Sequence, residues 1–174
     1  MNMRSAKMLV WAGEQCAAIR IIGRANFTSS VDFKTLITEL RQQGCSYFVL
    51  DLAECVLMDS TFLGVLAGFG LKLSNGNGDP GKHGIELFNP SARIIELLDT
   101  LGVLHLFKVT EGSVKMTEQA EPRAHTPTSS TKEEATRTCI EAHQTLMDIS
   151  PANAAKFKDV TQFLAEGLKK PKSG

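Results

Sequence analysis

The sequence predicts an α/β fold with a helical hairpin appended to it, and three observations carry that reading. Phe48 to Leu52 is a near-continuous apolar run, the pattern of a central strand covered on both faces of a sheet. Leu63, Leu66, Ala67 and Gly70 follow at helical spacing, so that strand passes into a helix through a short turn. Strand-like and helix-like segments then alternate as β-β-α-β-α-β-α-β over about the first 111 residues. In that order successive helices return over one sheet as right-handed crossovers.

Each element has a local cause. Lys7 to Gln15 and Cys16 to Gly23 read as two short strands joined in a hairpin, the second carrying Ala17, Ile19, Ile21 and Ile22 with Arg20 pointing outward. Ser29 or Ser30 is the expected cap of a helix whose Phe33, Leu36, Ile37 and Leu40 share one face, and Gly44 stops it. After the central strand, Ser60 is the expected N-cap of the next helix, where unpaired N–H groups and the helix dipole favour an anion such as phosphate. Gly84 to Phe88 supplies another strand. Asn89-Pro90-Ser91 opens a third helix with Ile94, Leu97, Leu98 and Leu101 on one side, ending near Gly102, and Leu104 to Thr110 is the expected last strand.

The chain then changes character. Residues 112–130 carry charged residues, two prolines and a Thr/Ser run with scarcely an apolar side chain, the composition of a linker. Residues 131–174 follow as a helical hairpin with a basic tail at Lys169, Lys170 and Lys172. Thr131 and Glu134 have capping-box spacing, and Ala135, Cys139, Ala142, Leu146 and Ile149 form a helical stripe. Ser150-Pro151 opens the second helix, whose apolar side is Phe157, Val160, Phe163, Leu164 and Leu168. So small a hairpin must dock: on its own domain, on a second copy to form a homodimer, or on another protein.

Composition excludes several function classes. Nineteen basic and nineteen acidic residues leave a formal charge of zero, which gives no electrostatic case for a nucleic acid or an anionic membrane. Cys16, Cys45, Cys55 and Cys139 form no Cys-x-x-Cys pair and read as reduced thiols of a cytoplasmic protein, with Cys45 and Cys139 the candidates for exposure. Met8 to Val10 is too short for the core of a secretion signal, and no stretch reaches the roughly 18 apolar residues of a membrane span.

The loop after the central strand resembles a family. Asp59-Ser60-Thr61-Phe62-Leu63-Gly64 is similar to the phosphorylation loop of the STAS domain, which reads Asp-Ser-Ser/Thr-Gly-Leu-Gly. That domain occurs in bacterial anti-sigma factor antagonists and in the cytoplasmic tail of sulfate transporters; the latter would require a membrane region that the chain is not expected to have. The resemblance implies a STAS-like mixed sheet with covering helices over residues 1–111, and it puts Ser60 at the serine that a partner kinase modifies, with Thr61 as second choice. It implies a partner surface of Asp59, Ser60, Thr61, Phe62, Leu63 and Gly64, together with Asn26 in place of the family's usual aspartate. Phe62 departs from the family glycine, whose missing Cβ permits close backbone approach.

Other motifs give no chemistry. Gly76 to His83 follows P-loop spacing superficially, but His83 lacks the hydroxyl that holds Mg²⁺, and the segment leads from helix to strand instead of strand to helix. His83, His105, His125 and His143 have no metal-binding spacing, and His105 among apolar neighbours reads as a packed side chain. Asp51 and Asp59 bracket the strand end like an acid/base pair, yet Asp59 fits a capping or loop-holding role. No cofactor and no metal is expected, and no enzyme. The expectation is an anti-sigma factor antagonist whose partners are a serine kinase of the histidine-kinase-like ATPase type and a cognate phosphatase. The alternative is a non-switching adaptor on a transport ATPase or signalling complex, with Phe62 as its apolar anchor; a weaker third is small-ligand binding, nucleotide being the family precedent.

Overall fold

The computed structural model describes residues 5–74, 84–115, 121–127 and 130–169. The chain runs β1 (Lys7–Ala12), β2 (Cys16–Ala25), α1 (Phe27–Gln42), β3 (Tyr47–Asp51), β4 (Cys55–Met58), α2 (Ser60–Ser74), β5 (Ile85–Phe88) and α3 (Ala92–Thr100). A 3-10 turn at Leu104–Leu106, β6 (Lys108–Thr110), β7 (Arg123–Ala124), α4 (Lys132–Ile149), a second 3-10 turn at Pro151–Asn153 and α5 (Ala154–Lys169) complete the described residues.

The sheet is mixed, in the order β6-β5-β3-β2-β1-β7, with β4 paired to β2. β1 is antiparallel to β2 and to β7, and the remaining pairs are parallel. Register aligns Ile19, Leu50 and Leu87 across three strands, and all three are fully buried. Phe33, Leu36, Ile37 and Leu40 of α1 meet that row, together with Leu63 and Leu66 of α2 and Ile94 and Leu98 of α3. Val49, between Phe48 and Leu50, points to the opposite face and joins Trp11, Ala18 and Val114 in a smaller cluster, as the two-residue period of a strand requires.

Several expectations need correction. Asn26, not Ser29 or Ser30, caps α1: its backbone is extended and its side-chain oxygen accepts the Ser29 N–H at 3.1 Å. Ser29 and Ser30 lie buried inside the first turn. Cys45, a candidate for exposure, is buried in the main core. The stretch expected as a turn before Ser60 contains β4, which pairs with the last residues of β2 and so delivers the chain beside the start of α1. Only Lys108–Thr110 of the expected last strand pairs as a strand. Leu106 and Phe107 are instead buried against α2, where Gly70 leaves room: a Cβ there would sit 2.9 Å from the Phe107 ring. His105, expected to be packed, is exposed on the outside of the 3-10 turn. Within 112–130, Arg123–Ala124 extends the sheet beside β1, a pairing that its polar composition does not predict. The P-loop-like stretch 76–83 lies outside the described residues.

The hairpin docks on its own chain. The Thr131–Glu134 capping box forms as expected, with bonds of 3.1 and 3.2 Å. α4 then lies across α2 and α1, and its Ala142 and Leu146 belong to the main core. Pro151 opens a 3-10 turn, and α5 begins only at Ala154. That turn is fixed by the buried Asn153, whose amide donates to the carbonyls of Leu101 at 2.9 Å and Leu146 at 2.8 Å. α5 turns Val160 and Phe163 outward instead of presenting them with Phe157 on one covered side.

Candidate functional site

β4 ends beside Ala25, and the Asp59 N–H donates to the Ala25 carbonyl at 3.0 Å. This bond brings the starts of α1 and α2 together. Asp59, not Ser60, is the cap of α2: its carboxylate accepts the Phe62 N–H at 2.9 Å and its carbonyl accepts the Leu63 N–H at 3.0 Å. The nearby backbone N–H groups of Phe27 and Thr61 also favour the charged carboxylate. Burial pushes the Asp59 carboxyl above the usual carboxylate range, against these hydrogen bonds and the nearby His143. The Phe62 and Leu63 N–H groups at this helix start are therefore already engaged by Asp59.

Ser60 is the first residue of α2, and its hydroxyl is turned to α4. Its Oγ lies 2.8 Å from His143 Nε2, while His143 Nδ1 lies 2.7 Å from the Cys139 carbonyl oxygen. A carbonyl can only accept, so Nδ1 carries the proton and Nε2 is left to accept the Ser60 hydroxyl proton. His143 is 3% exposed, and the Phe157 ring of α5 covers it at 4.8 Å between centroids. Burial lowers its pKa, with the Cys139 carbonyl and Asp59 opposing the shift. Thr61 Oγ1 makes a second contact across the same seam, 3.2 Å from Cys139 Sγ.

Close packing seals this contact. A Cβ on Gly64 would stand 2.4 Å from the carbonyl oxygen of Ala142 and 2.7 Å from its Cβ, so only glycine lets the α4 backbone approach α2 here. Phe62 points the other way. It is fully buried, its ring 4.9 Å from that of Phe33, so the expectation of an exposed apolar anchor is corrected: this side chain belongs to the core. Leu63 is buried too, and Asn26 is half-buried at the α1 cap beside the loop. The Asp51–Asp59 pairing does not form a site, since Asp51 binds Arg20 at 3.0 Å and Asp59 is committed to capping.

His143 and Cys139 escape a sequence reading as site residues. The stripe drawn through Ala135, Cys139, Ala142, Leu146 and Ile149 passes beside His143, four residues after Cys139 and one after Ala142, which is where helical geometry puts it on the same face. A serine hydroxyl on a histidine nitrogen has the form of a nucleophile and its base. The Phe62 N–H at this helix start is engaged by Asp59, and the arrangement holds the hydroxyl. Among the described residues no group of three His, Cys, Asp or Glu side chains could hold a metal ion, and no helix is long and apolar enough to cross a membrane.

Known proteins share the sheet domain. The model of a family described as the STAS domain matches residues 12–119, which end before α4. Among solved structures, the anti-sigma factor antagonist SpoIIAA in its unphosphorylated form aligns with a TM-score of 0.53 at 18% identity, over 63% of this chain and 90% of that one. The Bacillus cell fate determinant SpoIIAA in its phosphorylated form aligns with a TM-score of 0.51 at 17% identity, over 63% and 94%. At this identity the likeness is one of fold. No curated protein sequence matches the chain.

Proposed function

The chain belongs to the STAS domain family, and on that premise we propose that it is a non-enzymatic regulatory protein of the anti-sigma factor antagonist kind, switched by phosphorylation at Ser60. The observation that carries this reading is the position of Ser60: directly after the capping Asp59, at the first turn of α2, with a hydroxyl held by a single side-chain partner. Its partners would be a serine kinase of the histidine-kinase-like ATPase type, bound through the surface around Asp59, Ser60 and Asn26, and a phosphatase that resets the loop. A phosphate adds about −1.5 to −2 charges. Beside a half-buried Asp59 it meets like charge and loses hydration, and each 1.4 kcal/mol of that penalty weakens a complex about tenfold. Peptide mapping of the protein isolated from its native cell tests the proposal. Phosphate on Ser60 is expected, and phosphate confined to Thr128, Ser129 and Ser130 contradicts it.

A second reading is a non-switching adaptor on a transport ATPase or signalling complex. Phe62 does not support it, being buried, but the engagement of Ser60 by His143 and of Thr61 by Cys139 does, because both loop hydroxyls have partners within the chain. Pull-downs with wild-type and Ser60→Asp baits separate the two: a switch loses its partner in the variant, and an adaptor keeps it.

A further inference from the structure

We propose that α4 is an intramolecular cover over the Ser60 loop, so that docking of the α4–α5 hairpin and phosphorylation of Ser60 exclude one another. The inference rests on the reading of Ser60 as a kinase substrate, and its physical basis is separate from that reading. Three contacts close the same seam: Ser60 Oγ to His143 Nε2 at 2.8 Å, Thr61 Oγ1 to Cys139 Sγ at 3.2 Å, and the backbone of Ala142 against Gly64. None is a long, flexible surface pair. His143 is nearly inaccessible and is backed by Phe157, so the α5 half of the hairpin holds the ring that holds the serine. All of these covering residues lie beyond the segment 12–119 that matches the family.

Phosphorylation needs this seam open. In the transfer from ATP, Ser60 Oγ forms the new P–O bond as the bond to ADP breaks, and the hydroxyl proton passes to a base and then to solvent. In the docked state that proton lies in the hydrogen bond to Nε2, and the imidazole holds the half-buried Ser60 hydroxyl at 2.8 Å. A kinase therefore acts on the minor population in which α4 has lifted, and its apparent rate falls with that fraction. At equilibrium the coupling is reciprocal: docking that disfavours the phosphorylated form is itself weakened by a phosphate on Ser60. The phosphate removes the donated proton, requires room beside Oγ where the imidazole nitrogen sits at 2.8 Å, and adds charge beside Asp59, leaving Nε2 buried without its donor. Release of the hairpin, by whatever binds its exposed Phe163 face or its helices, is then the step that licenses the switch.

The test uses the full chain with phosphoserine installed at position 60 during synthesis, so that it does not depend on finding the kinase. Amide hydrogen exchange across Thr138–Leu146 and the labelling rate of Cys139 are compared with the unmodified protein, with Ala142→Glu as an independently opened reference. Both should accelerate by roughly tenfold or more, the fold-change that an unmade buried hydrogen bond carries. Exchange in β3 should stay slow, and treatment with a phosphatase should restore protection of α4. Unchanged protection of α4 in the phosphorylated chain would overturn the proposal, as would equal loss in α4 and β3, which means unfolding and not opening. Absence of phosphate at Ser60 in the native cell bears on the proposed function alone.

Discussion

Two glycines four residues apart on α2 give opposite expectations. Gly64→Ala puts a Cβ 2.4 Å from the Ala142 carbonyl oxygen, whereas Gly68→Ala puts one 3.8 Å from the Thr145 methyl, an ordinary contact. Both positions lie within the helix, so each exchange gains about 1 kcal/mol from helix propensity. That gain cancels in the difference between the variants. What remains is the cost of forcing α4 away, about 1–3 kcal/mol for overpacking, at the upper end because the opposing atoms are backbone and cannot change rotamer. Gly68→Ala should therefore raise the urea midpoint, and Gly64→Ala should lower it or leave it no higher than wild type, with similar slopes. Adding Ala142→Gly to Gly64→Ala should rescue only in part, because it removes the Cβ at 2.7 Å but not the carbonyl group. Equal stabilisation by both single exchanges would refute the docking of α4 against Gly64.

Phe62→Ala empties a fully buried position against Phe33 and should cost about 3–5 kcal/mol in denaturant unfolding; a cost below about 1 kcal/mol would return the ring to the surface. His143 has a pKa lowered by burial, so the folded chain binds fewer protons at this group than the unfolded one, and the stability it contributes is present above about 6.5 and is lost as pH falls through the folded value. Asp59 is shifted upward from 3.8 and works in the opposite sense, its native form holding its proton to higher pH than its unfolded form. The melting temperature should thus fall on passing from pH 7.5 to 5.5 more steeply in wild type than in His143→Gln; parallel profiles would count against a buried neutral imidazole. Asn153→Ala removes both donors that join the α4–α5 turn to Leu101 and Leu146 and should cost about 1–3 kcal/mol, read by thermal unfolding, with a loss within about 0.5 kcal/mol contradicting that lock.

The parts of the fold legible in the sequence are those with a local cause. The apolar run of β3, the α1 face from Phe33 to Leu40, the Ser91 cap and the Thr131–Glu134 box all follow from patterns a few residues long. β4 and β7 are short and lack alternation, and their existence depends on β2 and β1 being beside them. The α2 cap is ambiguous in sequence because Asp59 and Ser60 are adjacent and both competent; only the arrival of β4 beside Ala25 decides for Asp59. Phe62 is readable in principle, since Phe62, Leu66 and Phe69 recur at i, i+4 and i+7, but a neighbouring Ser-Thr pair makes the position look exposed. The contact that most alters the site, Ser60 with His143, spans 83 residues and leaves no local trace beyond helical spacing in α4.

The most direct measurement of the central claim, that α4 of the same chain covers the Ser60 loop, is a cross-link across the seam. Thr61→Cys puts a thiol opposite the native Cys139, whose sulfur lies 3.2 Å from the hydroxyl it replaces, while Cys45 and Cys55 remain buried. Mild oxidation should join the introduced thiol to Cys139 within a single chain, seen by peptide mass under non-reducing conditions at concentrations low enough to keep chains apart. Failure to bridge, or bridges found only between two chains, would contradict an intramolecular cover.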